Sequence, residues 1–422
     1  MVKRMRIHKH PRRMSWVAGA AVLALGASLA TSAAAGASPA TAVASATTPG
    51  DQAAHIAAIV RNAMKADHLN AAIFRVTVDG KPIVTGAFGK SMTGVPATTA
   101  MHFRNGSVAF SYLTTLLMKY VDQHKVSLND KVAQWLPKLP EANQVTLKML
   151  ANQTSGYPDY VTDPKFIAEF YQNPFHQFTS PELLAIAFSR PVSFRPGTNW
   201  GYAHTNMVIL GQILQMVGGK PLAALLRQNV LSPLGLTNTV ASQTAAIPAP
   251  VLHAFSSERR DALGIPAATP FYEESTFWNP AWTTPAGAAE TTNIYDMTKT
   301  AQGIGSGALL SKSSYRAQTG PNLLGFGHAQ SGCACVKQTN LYNYGLGIVR
   351  TGPWLVETPS FGGYAAAEAY LPSERIAIAV AITFAPQAFD AHGNWTNSSD
   401  PIFRAIGAYL APHDPPPGAN AS

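Results

Sequence analysis

Cysteine is nearly missing from this 422-residue sequence: only Cys333 and Cys335 occur, one alanine apart. That excludes a disulfide-built scaffold, and with no histidine cluster beside them a zinc site there is not expected. A bridge between positions two apart closes a tight ring, so the pair reads as a loop feature. Charge is scarce too, with Asp, Glu, Lys and Arg making up 13% of residues. The formal net charge of +9 is misleading. Lys3, Arg4, Arg6, Lys9, Arg12 and Arg13 supply six of the cations, and without them the balance is 9 − 6 = +3. No basic stripe interleaved with aromatics remains, so nucleic acid is excluded as a partner. No repeat of solenoid length is visible, and no motif supports a metal or an organic cofactor.

Against those absences, 46% of the residues are hydrophobic, enough for a sizeable core. The six early cations precede an apolar run over residues 15–30 and then the small-residue stretch "TSAAAGASPATAVASA". Basic, apolar, then small is the order of a secretory signal peptide. The run is short and rich in Ala and Gly for a membrane span, so a secreted or cell-envelope protein of bacterial-type export is expected. Membrane contact is expected only if that segment stays uncleaved. Arg12-Arg13 is one pair toward a twin-arginine signal.

Further along, "DQAAHIAAIVRNAMKAD" patterns as an amphipathic helix, and "AAIFRVTVDGKPIVTGAFG" as a β-hairpin turning at Asp79-Gly80. The middle is mostly helical in pattern. After residue 340 the texture becomes short, β-branched runs, closed by one more helix, "SDPIFRAIGAYLA". Strands at both ends predict one sheet assembled from distant segments, with a helical insertion. The expected organisation is a leader over 1–46 and a domain over 51–410. That domain includes a helical subdomain at about 108–300, and a Pro-rich tail over 411–422 is expected to fray.

Several blocks carry a resemblance. "FRNGSVAFSYLTTLLMKYVDQHKVSLNDKVAQWLP", "VTLKMLANQTSGYPDY", "FRPGTNWGYAHTNMVILGQILQMVGGKPL", "LSPLGLTNT", "PAGAAETTNIYDMTK" and "YGLGI" resemble, in order, segments of the β-lactamase-related serine hydrolases. These include class C β-lactamases, D-alanyl-D-alanine carboxypeptidases and penicillin-binding-protein relatives. The resemblance implies an α+β fold, with an antiparallel sheet flanked by helices and a mainly helical subdomain. It also implies acyl transfer through a serine ester, using S-x-x-K, Y-x-N and a K-T-G or H-x-G triplet.

All three motifs are altered. The first reads Ser107-Val108-Ala109-Phe110, placing a ring that accepts no proton where the family keeps its lysine. General-base help is worth about a hundred- to ten-thousandfold, so the usual mechanism should stop. The second reads Tyr202-Ala203-His204, with histidine for asparagine, and Tyr202 without a cation is too weak an acid to serve as base. The third reads Glu357-Thr358-Pro359, an anion for a cation and a proline that removes a strand donor. Ser107 and Ser360 remain as the expected oxyanion-hole amides.

Blander roles are available for each. Ser107 can be a helix N-cap, Phe110 core packing with Leu113 and Leu117, and Tyr202 a buried hydrogen-bonding ring. His253 and Glu290 read as loop anchors, and the aromatics of "ESTFWNPAWTTPAG" as either packing or a cleft wall. Two functions follow. The favoured one is a non-catalytic relative holding a small-molecule or peptide ligand, or a partner, of cell-envelope origin in the old cleft. The alternative is a divergent esterase or peptidase in which His204 is the base for Ser107 and Glu357 orients His204.

Overall fold

The computed structural model describes residues 49–418 apart from 242 and 243. The leader over 1–46 lies outside the described residues. The N-terminal hairpin forms as the pattern predicts, from Leu69–Val78 and Lys81–Met92. Asp79 and Gly80 turn it with φ of +50° and +76°, a conformation glycine adopts without strain and Asp tolerates.

That hairpin joins strands from the far end of the chain. Leu69–Val78 pairs with Ile376–Phe384, which pairs with Tyr364–Leu371, then Trp354–Glu357, Val349–Thr351 and Asn343–Tyr344. The described pairings in this sheet are antiparallel. An antiparallel sheet flanked by helices is the architecture the resemblance implies.

Alternation along the central strands builds two cores. In Ile376–Phe384, Ile378, Val380 and Ile382 face one side, where Ile56 and Val60 of helix Pro49–Ala66 and Phe403 and Ile406 of helix Ser399–Leu410 pack on them. The small residues Ala379 and Ala381 face the other side, with the helix Val108–Asp122 and the helical insertion. Small side chains there let helices approach the sheet closely. The insertion is built on helices Val108–Asp122, Pro164–Gln172, Ser180–Ala187 and His204–Gly218. Between residues 240 and 293 it also carries short strands, with His102–Arg104, Ala289–Asn293 and Val240–Ala241 forming a separate three-stranded sheet.

The Pro-rich tail packs instead of fraying as far as it is described. The Trp354 indole donates to the Asp414 carbonyl at 2.8 Å, and a Cβ placed on Gly407 would lie 2.7 Å from Pro416. Proline costs little side-chain entropy to order, and Pro416 and Pro417 pack against Gly407 and Gly352. Cys333 and Cys335 form a disulfide. Among the described residues, no single helix is long and apolar enough to cross a membrane.

Candidate functional site

The serine sits where strand His102–Arg104 turns into helix Val108–Asp122. Gly106 makes the turn at φ +42°, and a Cβ there would meet Pro359 Cβ at 2.7 Å and Ser360 N at 3.9 Å. The serine turn and the segment Glu357–Ser360 are therefore pressed together, bringing Ser360 beside Ser107. Pro359 itself is buried against the turn, and its carbonyl accepts the Ala366 N–H at 3.0 Å.

Ser107 opens the helix in an αR conformation, but its hydroxyl makes no capping hydrogen bond. The capping role is not the one it plays. Its hydroxyl instead approaches Glu357, where it helps stabilise the ionised carboxylate. Burial outweighs that help and pushes Glu357 up to about 8, while the Ser107 hydroxyl and the Val349 N–H pull it back. Glu357 is 5% exposed, joins none of the ion pairs among the described residues, and leaves Oε1 without a partner.

Directly across the ladder from Glu357 stands Glu368, also buried. Opposed residues of an antiparallel pair point to the same face. Burial first, and the neighbouring Glu357 second, hold Glu368 well above the usual carboxylate range. Two acids that close do not ionise together.

Phe110 is fully buried, as are Leu113 and Leu117. Its ring centroid lies 6.1 Å from that of Tyr202 and 6.0 Å from that of His204, edge-on to the latter. Phe110, Tyr202 and His204 thus form an aromatic cluster beside the serine helix. Tyr202 titrates well above its ordinary 10.0, because burial and then Tyr344, Glu357 and other neighbours disfavour the phenolate.

His204 is held by a residue that sequence reasoning passed over. Asp159 accepts from His204 Nδ1 (3.1 Å to Oδ2) and from the His204 backbone N–H (3.1 Å to Oδ1). It also accepts from the Val161 N–H at 3.3 Å, so one carboxylate caps both the 3₁₀ turn Tyr160–Thr162 and the start of helix His204–Gly218. Around it, Gln153 accepts from the Ala203 N–H and the Asn206 amide, and Thr205 donates to Pro158. The expected orienting partner of His204, Glu357, is not the carboxylate on the imidazole; Asp159 is. Asp159 lies 45 residues before His204, and only its place in "YPDY", beside the second motif's loop, hints at it. With a carboxylate on Nδ1, the proton belongs on that nitrogen and Nε2 is the acceptor. No hydrogen bond joins His204 to Ser107 among the described residues.

Trp282 extends the aromatic cluster, packing also on Phe166 and Phe170. Half-buried, it stands with ring centroids 6.0 Å from His204 and 5.7 Å from Phe361, the neighbour of Ser360. Of the loop anchors, His253 pairs with Glu274 at 2.5 Å, and Glu290 accepts from Thr283 and Thr284.

A beta-lactamase family profile matches residues 56–400 of this chain. The chain belongs to the beta-lactamase family. It is 34% identical over 103 residues to lovastatin esterase of Penicillium rubens, covering 24% of this chain and 25% of that one. It is also 30% identical over 181 residues to penicillin-binding protein 4 of Amycolatopsis lactamdurans, covering 40% of this chain and 44% of the relative. The matches thus span less than half the length of these curated relatives. Among solved structures, a D-stereospecific amidohydrolase of Streptomyces superposes with a TM-score of 0.68 at 21% identity, covering 83% of this chain and 98% of that one. At that identity the likeness speaks for the fold.

Proposed function

We propose that this family member is an exported protein in which lysine-dependent acyl transfer has been lost and the cleft is kept for binding. Its ligand is a small molecule or short peptide of cell-envelope origin. The carrying observation is Phe110: a fully buried ring, packed on Tyr202 and His204, occupies the site from which an amine would take the serine proton. The neighbouring groups do not replace it. Tyr202 is too weak an acid, and Glu357 is mostly protonated below about 8. Export is supported by the order of basic, apolar and small residues at the N-terminus.

The test is a covalent one. The purified protein is incubated with a penicillin and with a fluorophosphonate, and intact mass is read. Silence with both supports the reading; a Ser107 adduct lost in Ser107→Ala refutes it.

One observation favours a second reading. The Asp159–His204 pair is a carboxylate-oriented imidazole of the kind that serves acyl-transfer triads. In that reading Ser107 labels with the fluorophosphonate, and both His204→Ala and Asp159→Asn weaken labelling. Ester or amide hydrolysis would then follow as the activity.

A further inference from the structure

Away from the serine cleft, three segments border an open-mouthed cavity of about 560 Å³, the size of a small-molecule site. Lys131 and Thr146 oppose each other in an antiparallel bridge, so their side chains leave on one face, and Lys148 follows two residues on. Gly197 closes the second side, where a Cβ on it would lie 3.1 Å from Met149 Cε. The third side is a turn in which the Phe326 N–H donates to the Leu323 carbonyl at 2.8 Å, and both side chains line the cavity.

The charge of this lining is one-sided. It holds Lys131 and Lys148 and no carboxylate. Lys131 Nζ donates to the Gln144 carbonyl at 3.1 Å, and neither lysine belongs to an ion pair among the described residues. Asp130, the acid adjoining in sequence, accepts the Ser127 N–H at 2.7 Å and is not part of the lining.

Asn152 supplies an independent sign of a missing guest. It lines the cavity yet is only 5% exposed. Its Oδ1 accepts from the Thr154 hydroxyl at 2.7 Å, while its amide nitrogen donates to no group among the described residues. Gln153, between these two, is engaged instead with the Ala203 N–H and the Asn206 amide. A nearly buried donor without a partner is costly, and here it borders a space that can hold an acceptor. An oxyanion accepting from ammonium groups and an amide makes hydrogen bonds of the strong, charge-assisted kind. Met149, Leu323 and Phe326 add apolar surface, suited to a flat or branched hydrocarbon body.

We propose that this cavity is a second binding site, for a small organic anion. The oxyanion meets Lys131, Lys148 and the Asn152 amide, and the aromatic or branched body lies against Met149, Leu323 and Phe326. The site stands whether or not the serine cleft is silent.

Calorimetric titration of the full chain at pH 7 and low salt tests this with four probes: naphthoate, naphthyl phosphate, naphthamide, which is the neutral counterpart of the first, and inorganic phosphate, which lacks the apolar body. At least one naphthyl anion is expected to bind about tenfold or more tightly than naphthamide and than inorganic phosphate. Added salt should shrink the preference over naphthamide, because the lysines are exposed. Lys131→Gln with Lys148→Gln should abolish that preference while leaving naphthamide unchanged, and Phe326→Ala should weaken the three naphthyl probes together. Trp282→Ala, which alters the cleft and not this cavity, should leave every affinity as it was. Thermal melts confirm that the variants fold. No saturable binding of either naphthyl anion, equal affinity for naphthamide, inorganic phosphate binding as tightly as naphthyl phosphate, or anion binding that survives the lysine changes and falls with Trp282→Ala overturns the proposal.

Discussion

Glu357 makes a pH-dependent contribution to stability whose sign and size follow from its burial. In the unfolded chain it titrates near 4.5, and in the folded chain it is raised to about 8. Between those values the native state holds a proton that the unfolded state has released. The native state therefore binds more protons, and stability falls as pH rises through that window. It is unaffected below the lower value and fully lost above the higher one. The gap of 8 − 4.5 = 3.5 units at about 1.4 kcal/mol per unit sets a ceiling of roughly 5 kcal/mol.

Glu357→Gln keeps the shape and has no proton to lose. The variant should match or trail the parent at pH 5, then gain on it by about 1 kcal/mol per unit toward pH 8. Glu290, also raised to about 8, is present in both chains and cancels in the difference. Glu368 cancels less well. It stands opposite Glu357 in the ladder, so losing that neighbour eases its own ionisation and adds to the variant's gain at high pH. Urea unfolding of both proteins at pH 5, 6.5 and 8 gives the two curves. A difference that stays flat across that range would refute the claim that this carboxyl is buried without a countercharge.

Three further outcomes are expected. Phe110→Lys places an ammonium in a fully buried aromatic cluster and should cost about 3 kcal/mol or more in chemical unfolding, without producing a penicillin adduct, because the second and third motifs stay altered. Asp159→Asn weakens two helix caps and the His204 contact, for a loss of about 1–2 kcal/mol in the same assay. Gly106→Ala puts a Cβ 2.7 Å from Pro359 at φ +42°, so it should destabilise by about 1–2 kcal/mol, and Pro359→Gly in the same chain should recover part of that.

The hairpin, the serine helix and the C-terminal strands were legible because each is a local pattern. Asp79-Gly80 suits a turn with two positive φ values, and "IAIAVAITF" alternates large and small residues to two faces. The serine, the phenylalanine after it and the altered triplets were equally legible, since each motif is contiguous. Asp159 was not, because its carboxylate meets His204 only after the 153–160 loop folds under helix His204–Gly218. The signal for Glu368 was present in "YAAAEAYL", one charge inside an alanine-rich strand, but its meaning depends on lying across from Glu357. The tail as far as Gly418 was misread for the same reason, as nothing local in "PHDPPPG" indicates that the Asp414 carbonyl accepts from Trp354.

What the sequence determined by itself is the family and the phenylalanine three residues after Ser107, because backbone periodicity and contiguous segments act over a few residues. Which carboxylate faces which partner was decided only in three dimensions. Ser107 meets Glu357, His204 meets Asp159, and Glu368 sits opposite Glu357. Those pairings join segments far apart in the chain, and burial, which sets how a carboxyl titrates, exists only once the sheet and helices have closed around it.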